Sequence, residues 1–425
     1  MDSLLRTELE TLNSSAAAIL EYLKGDDVRS TKLLDELESA PDHIKKAKTS
    51  IFESTTAIQQ LVTSPVEYHQ QLLIHYQYIA CIRWLCRFEV PTIVPEHGSM
   101  TYGEIARKAS VPESQLRRIC RMARTSGLFE EVDEDTLAHS TLSKQLRQGS
   151  SFLDAMMFLT EMSSRSASKM VERTERFGPT SAKNETAFNI AFDTDLPFYG
   201  YLSQTPALGA RFAGTMRFLG AGQEFHLDHL INGYNWAGLG EATIVDVGGS
   251  QGHASIALAS KFPRLRFIVQ DLPDVVERAK QALLSRPLEP SVASRLTFEA
   301  HNFFHPQPDS SRGADVFFAR LIFSNYDDEE AVAILNNLVS AMGRNSRLII
   351  MSAVLPEPGT VSLREEALER ATDLGKLQLL NGKERDLRDW KMLFERVPTK
   401  LVLKAMTKPV GSTLSILEIM LESTS

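Results

Sequence analysis

Ala242-Thr243-Ile244-Val245-Asp246-Val247-Gly248-Gly249-Ser250-Gln251-Gly252-His253-Ala254 decides how the carboxyl-terminal half of this 425-residue chain folds. An apolar run of strand length enters a glycine-rich turn and leaves it as a helix through Ile256 to Phe262, so backbone can approach a ligand closely at the carboxyl edge of a sheet. A glycine turn alone is weak evidence. Dinucleotide sites favour G-x-G-x-x-G, whereas here Asp246 is followed by glycines at +2 and +6. A second apolar strand, Leu265 to Val269, ends at Asp271-Leu272-Pro273, about twenty residues on, where a carboxylate can accept both hydroxyls of a ribose. A third strand, Leu296 to Ala300, precedes Asn302-Phe303-Phe304, and a fourth, Ala314 to Ala319, leads into Arg320-Leu321-Ile322-Phe323-Ser324-Asn325-Tyr326-Asp327-Asp328-Glu329-Glu330. Residues 236–425 are therefore expected to form a Rossmann-like α/β domain, a doubly wound and mainly parallel sheet with a nucleoside site at its edge.

Three regions precede that domain. Residues 1–95 carry leucines and isoleucines at helical spacing, in Leu4 to Leu23 and again in Ile51 to Trp84, and Pro91 and Pro95 close the run. A helical bundle accounts for the pattern, and such an arm is also a common dimerisation device, so a homodimer is expected. Residues 96–150 read as helix, turn, helix, hairpin. Thr101 followed by Glu104 forms a capping box, a second helix from Glu113 to Ser126 stops at Gly127, and Leu128 to Val132 pairs with Leu137 to His139. This winged-helix pattern raises DNA binding, since Arg117, Arg118, Arg121 and Arg124 share the second helix. The same arrangement serves widely as a structural module, and an acidic chain offers no broad electrostatic footprint. Residues 151–235 are helical and rich in methionine and phenylalanine, mostly core, with Thr215 and Met216 as candidate walls of an apolar substrate pocket.

Composition narrows the function. With 43% apolar and 24% charged residues and a formal charge of −8, the chain is not built to lie on nucleic acid or an anionic membrane, and a small molecule is the expected partner. Cys81, Cys86 and Cys120 lack paired metal-ligand spacing; they are read as packing residues of a reducing compartment, with no metal expected. No apolar run reaches about 18 residues and the amino terminus is acidic, so a cytoplasmic location is expected.

The runs IVDVGGSQGHASIALASKFPRLRFIVQDLPDVVERAK, NFFHPQP, FFARLIFSNYDDEEAVAILNNL, RLIIMSAVLPEPG and NGKERDLRDWKMLFERV resemble fungal members of the plant-type O-methyltransferase family, from the winged helix to the carboxyl terminus. The resemblance implies a homodimer and a carboxyl-terminal domain that binds S-adenosylmethionine. It implies that Gly248, Gly249 and Gly252, with Ser250 in the same turn, line the methionine part, that Asp271 holds ribose and that Leu272 flanks adenine. It puts Asn302 and Phe303 where the family has an acid and an apolar residue at adenine, Arg320 near the cofactor, and Tyr326 in place of an aromatic that packs on adenine.

The catalytic positions depart from the family. Its general-base histidine maps to Ser324, the acid beside it to Asn325, and one of two acids that hold the histidine maps to Ser352; Glu384 alone survives. A hydroxyl has no titratable group near neutral pH, so Ser324 cannot take a phenolic proton as imidazole does. The expected function is that of a pericyclase, with two alternatives kept. The chain resembles O-methyltransferase-like pericyclases, which bind S-adenosylmethionine without consuming it and steer dehydration, hetero-Diels-Alder or Alder-ene steps in polyketide-derived pyridone pathways. Such a reaction needs a shaped apolar pocket and a few donors, for which His139, Ser324, Asn325, Ser352 and, through the cofactor, Arg320 are candidates; Glu384 would orient substrate or be a relic. His139 would alternatively cap the wing. The other readings are a true small-molecule O-methyltransferase and a catalytically dead binding or regulatory protein.

Overall fold

The structure, a computed structural model, describes residues 2–23, 36–37, 39–285 and 287–422; the part of the expected helical arm at 24–35 and 38 lies outside the described residues. Its contacts divide the chain into two compact units, one of residues 1–164, 207–216 and 357–368, the other of residues 165–206, 217–356 and 369–425. Residues 165–206 thus join the unit that contains the large sheet.

The first unit opens with helices Asp2–Leu23, Asp42–Val62 and Pro65–Arg87. The third begins at a capping box in which Ser64 accepts from Glu67 N, with Pro65 at the first helical position. Thr101 caps helix Tyr102–Ala109 in the same way with Glu104, and helix Glu113–Arg124 ends before Gly127, whose φ of +84° favours glycine. The expected hairpin forms as β2 (Glu130–Glu131) and β3 (Thr136–Ala138), and β1 (Ser99–Thr101) adds a third antiparallel strand that the sequence did not predict. All three cysteines pack here, beside Leu85, Tyr102, Leu116 and Phe129, and burial pushes the thiols of Cys86 and Cys120 up to about 12. Arg117 and Arg121 are engaged within the unit: Arg117 bonds Glu113, Asp135 and the Glu134 carbonyl, and Arg121 bonds Glu131.

The second unit is built on seven strands: β4 (Ala242–Val247), β5 (Leu265–Asp271), β6 (Leu296–Ala300), β7 (Val316–Arg320), β8 (Arg347–Ser352), β11 (Leu401–Thr407) and β12 (Ser415–Leu421), ordered β6-β5-β4-β7-β8-β12-β11. The five from β6 to β8 run parallel, and β12 pairs antiparallel with β8 and β11. The fourth strand starts at Val316 rather than the expected Ala314. Val245, Phe317 and Ile350 pack on one face of the sheet, while Ile244, Phe318 and Met351 pack on the other. Both faces are covered, which is why these strands read as continuous apolar runs rather than alternating ones. Full burial of Phe317 or Phe318 contributes about 1.5–3 kcal/mol each. Strand order reverses at β4, with β5 and β6 on one side and β7 and β8 on the other, so the carboxyl ends of β4 and β7 flank a crevice of the kind that holds ligands. Short strands β9 (Val354–Leu355) and β10 (Arg385–Asp386) pair in parallel beyond the end of β8.

Candidate functional site

The glycine turn after β4 sits where side chains cannot. Gly248 has φ +69° and a Cβ there would stand 2.6 Å from Ile322 Cδ1 and 3.4 Å from Phe303 Cε1. A Cβ on Gly249 would stand 2.6 Å from Asp246 Cγ and 2.8 Å from Val269 Cγ1. Gly252, with φ +75°, faces Phe298 at 3.0 Å. Asp271, at the end of β5, accepts from Ser250 N through Oδ2 (2.9 Å) and from Leu272 N through Oδ1 (2.7 Å). Each carboxylate oxygen keeps a second lone pair. Burial pushes the Asp271 carboxyl above the usual carboxylate range, and these two backbone bonds oppose it. Asp246, fully buried beneath the turn, is raised to about 6 by burial, against a 2.6 Å bond from Ser255 and the charge of Arg320.

Around this cradle, Tyr326 packs edge-on against Phe303 (5.7 Å between ring centres) and Phe304 (5.3 Å), and Leu272 stands half exposed. Asn302 spends one lone pair of its side-chain oxygen on Phe304 N at 3.0 Å and keeps the other. Arg320 donates through Nη2 to the Phe225 carbonyl at 3.1 Å, while its buried Nε has no partner among the described residues. The ten cofactor candidates named from sequence thus belong to one end of the sheet, and the structure adds Ile322.

The segment after β7 is held open. Leu321 takes a left-handed φ of +59°, a conformation that costs a branched residue of order 1–3 kcal/mol and persists only where its surroundings enforce it. Arg385 does much of the enforcing: wholly buried, it donates to the carbonyls of Phe323 (2.9 Å), Tyr326 (3.1 Å) and Lys383 (3.3 Å) and pairs with Asp328. Gly382 closes against the same segment, since a Cβ there would stand 2.5 Å from the Ser324 carbonyl oxygen. Lys183 binds the carbonyls of Asn325 (3.1 Å) and Leu380 (3.0 Å) and pairs with Glu330 at 2.6 Å.

One side chain absent from the sequence reading completes the arrangement. Lys376, on helix Leu363–Leu380, places Nζ 3.0 Å from Ser324 Oγ and 2.9 Å from Asn325 Oδ1. Asn325 Nδ2 reaches the Leu321 carbonyl at 3.4 Å, which turns Oδ1 toward the lysine. Burial holds the Lys376 amine below the ordinary lysine range, the charge of Glu384 pulling the other way. Burial likewise raises the Glu384 carboxyl, opposed first by the Lys376 charge. Glu384 N bonds Asp373 Oδ1 at 2.8 Å, and Glu384 Oε2 is buried without a partner among the described residues. Ser324, which has no titratable group of its own, thus stands against an amine from a distant helix. A lone lysine among Leu374, Leu377, Leu379 and Leu380 was the available signal.

Ser352 ends β8, buried, its hydroxyl unpartnered among the described residues, and the β9–β10 pairing sets Arg385 opposite Val354, two residues beyond it. His139, Thr215 and Met216 belong to the other unit. Both ring nitrogens of His139 are spent locally, Nδ1 with Ser143 Oγ (2.9 Å) and Nε2 with the Val94 carbonyl (3.2 Å), and its ring stacks on Phe129. That geometry favours the capping role over the donor role. Thr215 is buried and its hydroxyl donates to the Arg211 carbonyl at 2.9 Å; Met216 is exposed.

A family model described as "O-methyltransferase domain" matches residues 180–397. The O-methyltransferase VdtC of Byssochlamys spectabilis is 42% identical over 98% of this chain and 97% of that protein. The chain belongs to the O-methyltransferase family. Solved structures share its fold at lower identity: OxaC in complex with SAH and oxaline (20% identical, TM-score 0.73, covering 98% of this chain and 99% of that one), and a protein described as a pericyclic reaction enzyme (24%, TM-score 0.71, 92% and 97%). S-adenosylmethionine is the cofactor of this O-methyltransferase domain, and the crevice fits it. Glycines stand where a Cβ would fill the cradle, a carboxylate with free lone pairs ends β5 where it could accept ribose hydroxyls, and aromatic rings nearby could wall a base. Among the described residues no helix is long and apolar enough to cross a membrane.

Proposed function

We propose that this chain is an S-adenosylmethionine-dependent O-methyltransferase acting on a hydroxyl of a small apolar molecule. The observation that carries the reading is a crevice of close-packed glycines with a carboxylate at the end of β5, in a chain 42% identical, over nearly its whole length, to a named O-methyltransferase. The bound cofactor supplies a methyl group made electrophilic by its sulfonium. The chain's own part is to hold and align the reactants, which converts a bimolecular step into an effectively unimolecular one. In this reading Gly248, Gly249, Ser250 and Gly252 bring backbone to the methionine end, Asp271 takes the ribose hydroxyls, Leu272, Asn302, Phe303 and Tyr326 enclose adenine, and Arg320 fixes charge beneath the turn.

A second reading draws on Ser324, Asn325 and Ser352, which replace the acid and base groups of the family, and on the fold shared with the pericyclic reaction enzyme. There the cofactor stays intact, and Ser324, Ser352 and Glu384 would steer a hetero-Diels-Alder or Alder-ene cyclisation of a polyketide-derived pyridone. Mass spectrometry of the protein incubated with S-adenosylmethionine and a panel of phenols and hydroxypyridones separates the two. Methyl transfer yields S-adenosylhomocysteine and a product heavier by one methylene. Isomerisation or water loss with unchanged cofactor would overturn the transferase reading, and no turnover of any member would favour a binding protein.

The helical arm fits a homodimer. Val66, Tyr68, Leu72, Leu73 and Tyr76 stand exposed along helix Pro65–Arg87, an apolar surface that a second copy would cover. Sedimentation equilibrium is expected to give twice the chain mass at micromolar concentration; a single-chain mass would count against it.

A further inference from the structure

We infer that Lys376 is the catalytic base of this site, taking the proton of a substrate hydroxyl that would otherwise stay protonated near neutral pH. The inference rests on the O-methyltransferase reading above and assigns that site its missing proton acceptor, together with the substrate class it serves: a phenolic or enolic hydroxyl of ordinary acidity, about that of tyrosine.

The geometry carries it. A neutral amine has two N–H donors and one lone pair. Ser324 Oγ at 3.0 Å and Asn325 Oδ1 at 2.9 Å accept both donors, and the lone pair is left for a third partner. When the amine gains a proton, the same two acceptors stay satisfied and the new N–H points at the oxygen it came from. Nothing has to rearrange between base and conjugate acid. Asn325 is held in the accepting orientation by its own bond to the Leu321 carbonyl, and Ser324 is held by Gly382 and Lys383, whose N bonds the Ser324 carbonyl at 3.1 Å. The replacement of an imidazole by a hydroxyl and of an acid by an amide then has a purpose: neither residue titrates, and both present oxygen to an amine. An acid at 325 would hold Lys376 permanently charged.

Charged neighbours set the amine's poise. Glu384 faces it from the loop before β10, Asp373 lies one turn earlier on its own helix, Arg385 stands beside Glu384, and Lys183 reaches the Asn325 carbonyl while paired with Glu330. Burial lowers the amine, as it does other lysines used as bases, so its neutral form is reached at lower pH than on the surface. The substrate O–H proton passes to Nζ, the oxygen forms a bond to the methyl carbon, the S–CH₃ bond breaks with its electron pair going to sulfur, and the ammonium returns its proton to solvent.

The test has two arms. In protein labelled with ¹³Cε-lysine, the resonance lost in Lys376→Arg is expected to titrate well below the surface lysines; titration together with them near about 10.4 would overturn the inference, whatever the enzyme does with its cofactor. In turnover, Lys376→Met is expected to lower kcat about a hundredfold on an ordinary phenol and to flatten the rise of rate with pH, while an acidic nitrophenol, ionised before it binds, keeps most of its rate. Unchanged cofactor affinity by calorimetry shows that the variant is folded. An equal loss on both phenols would overturn a base role, whereas wild type that forms no methyl ether while its Lys376 resonance titrates low would overturn only the transferase reading.

Discussion

Alanine at Asp271 is expected to raise the dissociation constant for S-adenosylmethionine by about a hundredfold. Two contributions add. Hydrogen bonds to a charged group contribute about 1.5–3 kcal/mol each, and tenfold in affinity corresponds to about 1.4 kcal/mol, so loss of even one ribose contact accounts for about one to two factors of ten. The carboxylate also ties the glycine turn to β5 through Ser250 N and Leu272 N, so its removal loosens the cradle as well. Asparagine should not rescue, because its amide presents a donor to one of two backbone N–H groups. Binding in the wild type should weaken on acidification earlier than for an ordinary carboxylate. Burial raises the Asp271 pKa, so the accepting, ionised form is lost as pH falls through that raised value. Isothermal titration calorimetry measures both effects, and an Asp271→Ala protein that binds with wild-type affinity would remove Asp271 from the cofactor site.

Methionine at Arg385 is expected to destabilise the protein by about 3–5 kcal/mol, because it leaves several carbonyls and a half-buried carboxylate without their donor. The guanidinium is fully buried and holds Asp328 together with the carbonyls of Phe323, Lys383 and Tyr326, which the variant would leave unpaired. It also lies over the Trp390 ring, 5.6 Å from its centre. Against total stabilities of about 5–15 kcal/mol the loss is large. Lysine should recover little, since a single ammonium cannot span the positions reached by a planar fork. Chemical denaturation followed by far-ultraviolet circular dichroism measures the shift. A change under about 1 kcal/mol would mean that the segment carrying Ser324 holds its shape without Arg385.

The cofactor half of the site was legible because its signals are local. An apolar strand, a turn whose glycines avoid clashes of 2.6 Å to 3.0 Å, and an acid at the end of the next strand all fall within about thirty residues, and each constrains backbone more than side chain. The three cysteines were legible as packing residues because they lack paired metal-ligand spacing, and all three pack in one core cluster. His139 was ambiguous in sequence because a histidine after a strand can donate to a ligand or to its own turn, and only the positions of Ser143 and the Val94 carbonyl favour the second.

By itself the sequence determined that strands and helices alternate after residue 236, that the first strand ends in a nucleoside-binding turn, and that the family's histidine is gone from position 324. Those are properties of short stretches, fixed by side-chain period, glycine and residue identity. What replaced the histidine was decided by tertiary structure alone. Lys376 lies 52 residues from Ser324, on helix Leu363–Leu380, and a lone lysine among leucines does not say what will face it. Only packing removes it from water, sets two oxygens against its nitrogen and lowers its proton affinity, because desolvation and hydrogen bonding depend on which surfaces meet and not on which residues are neighbours in the chain.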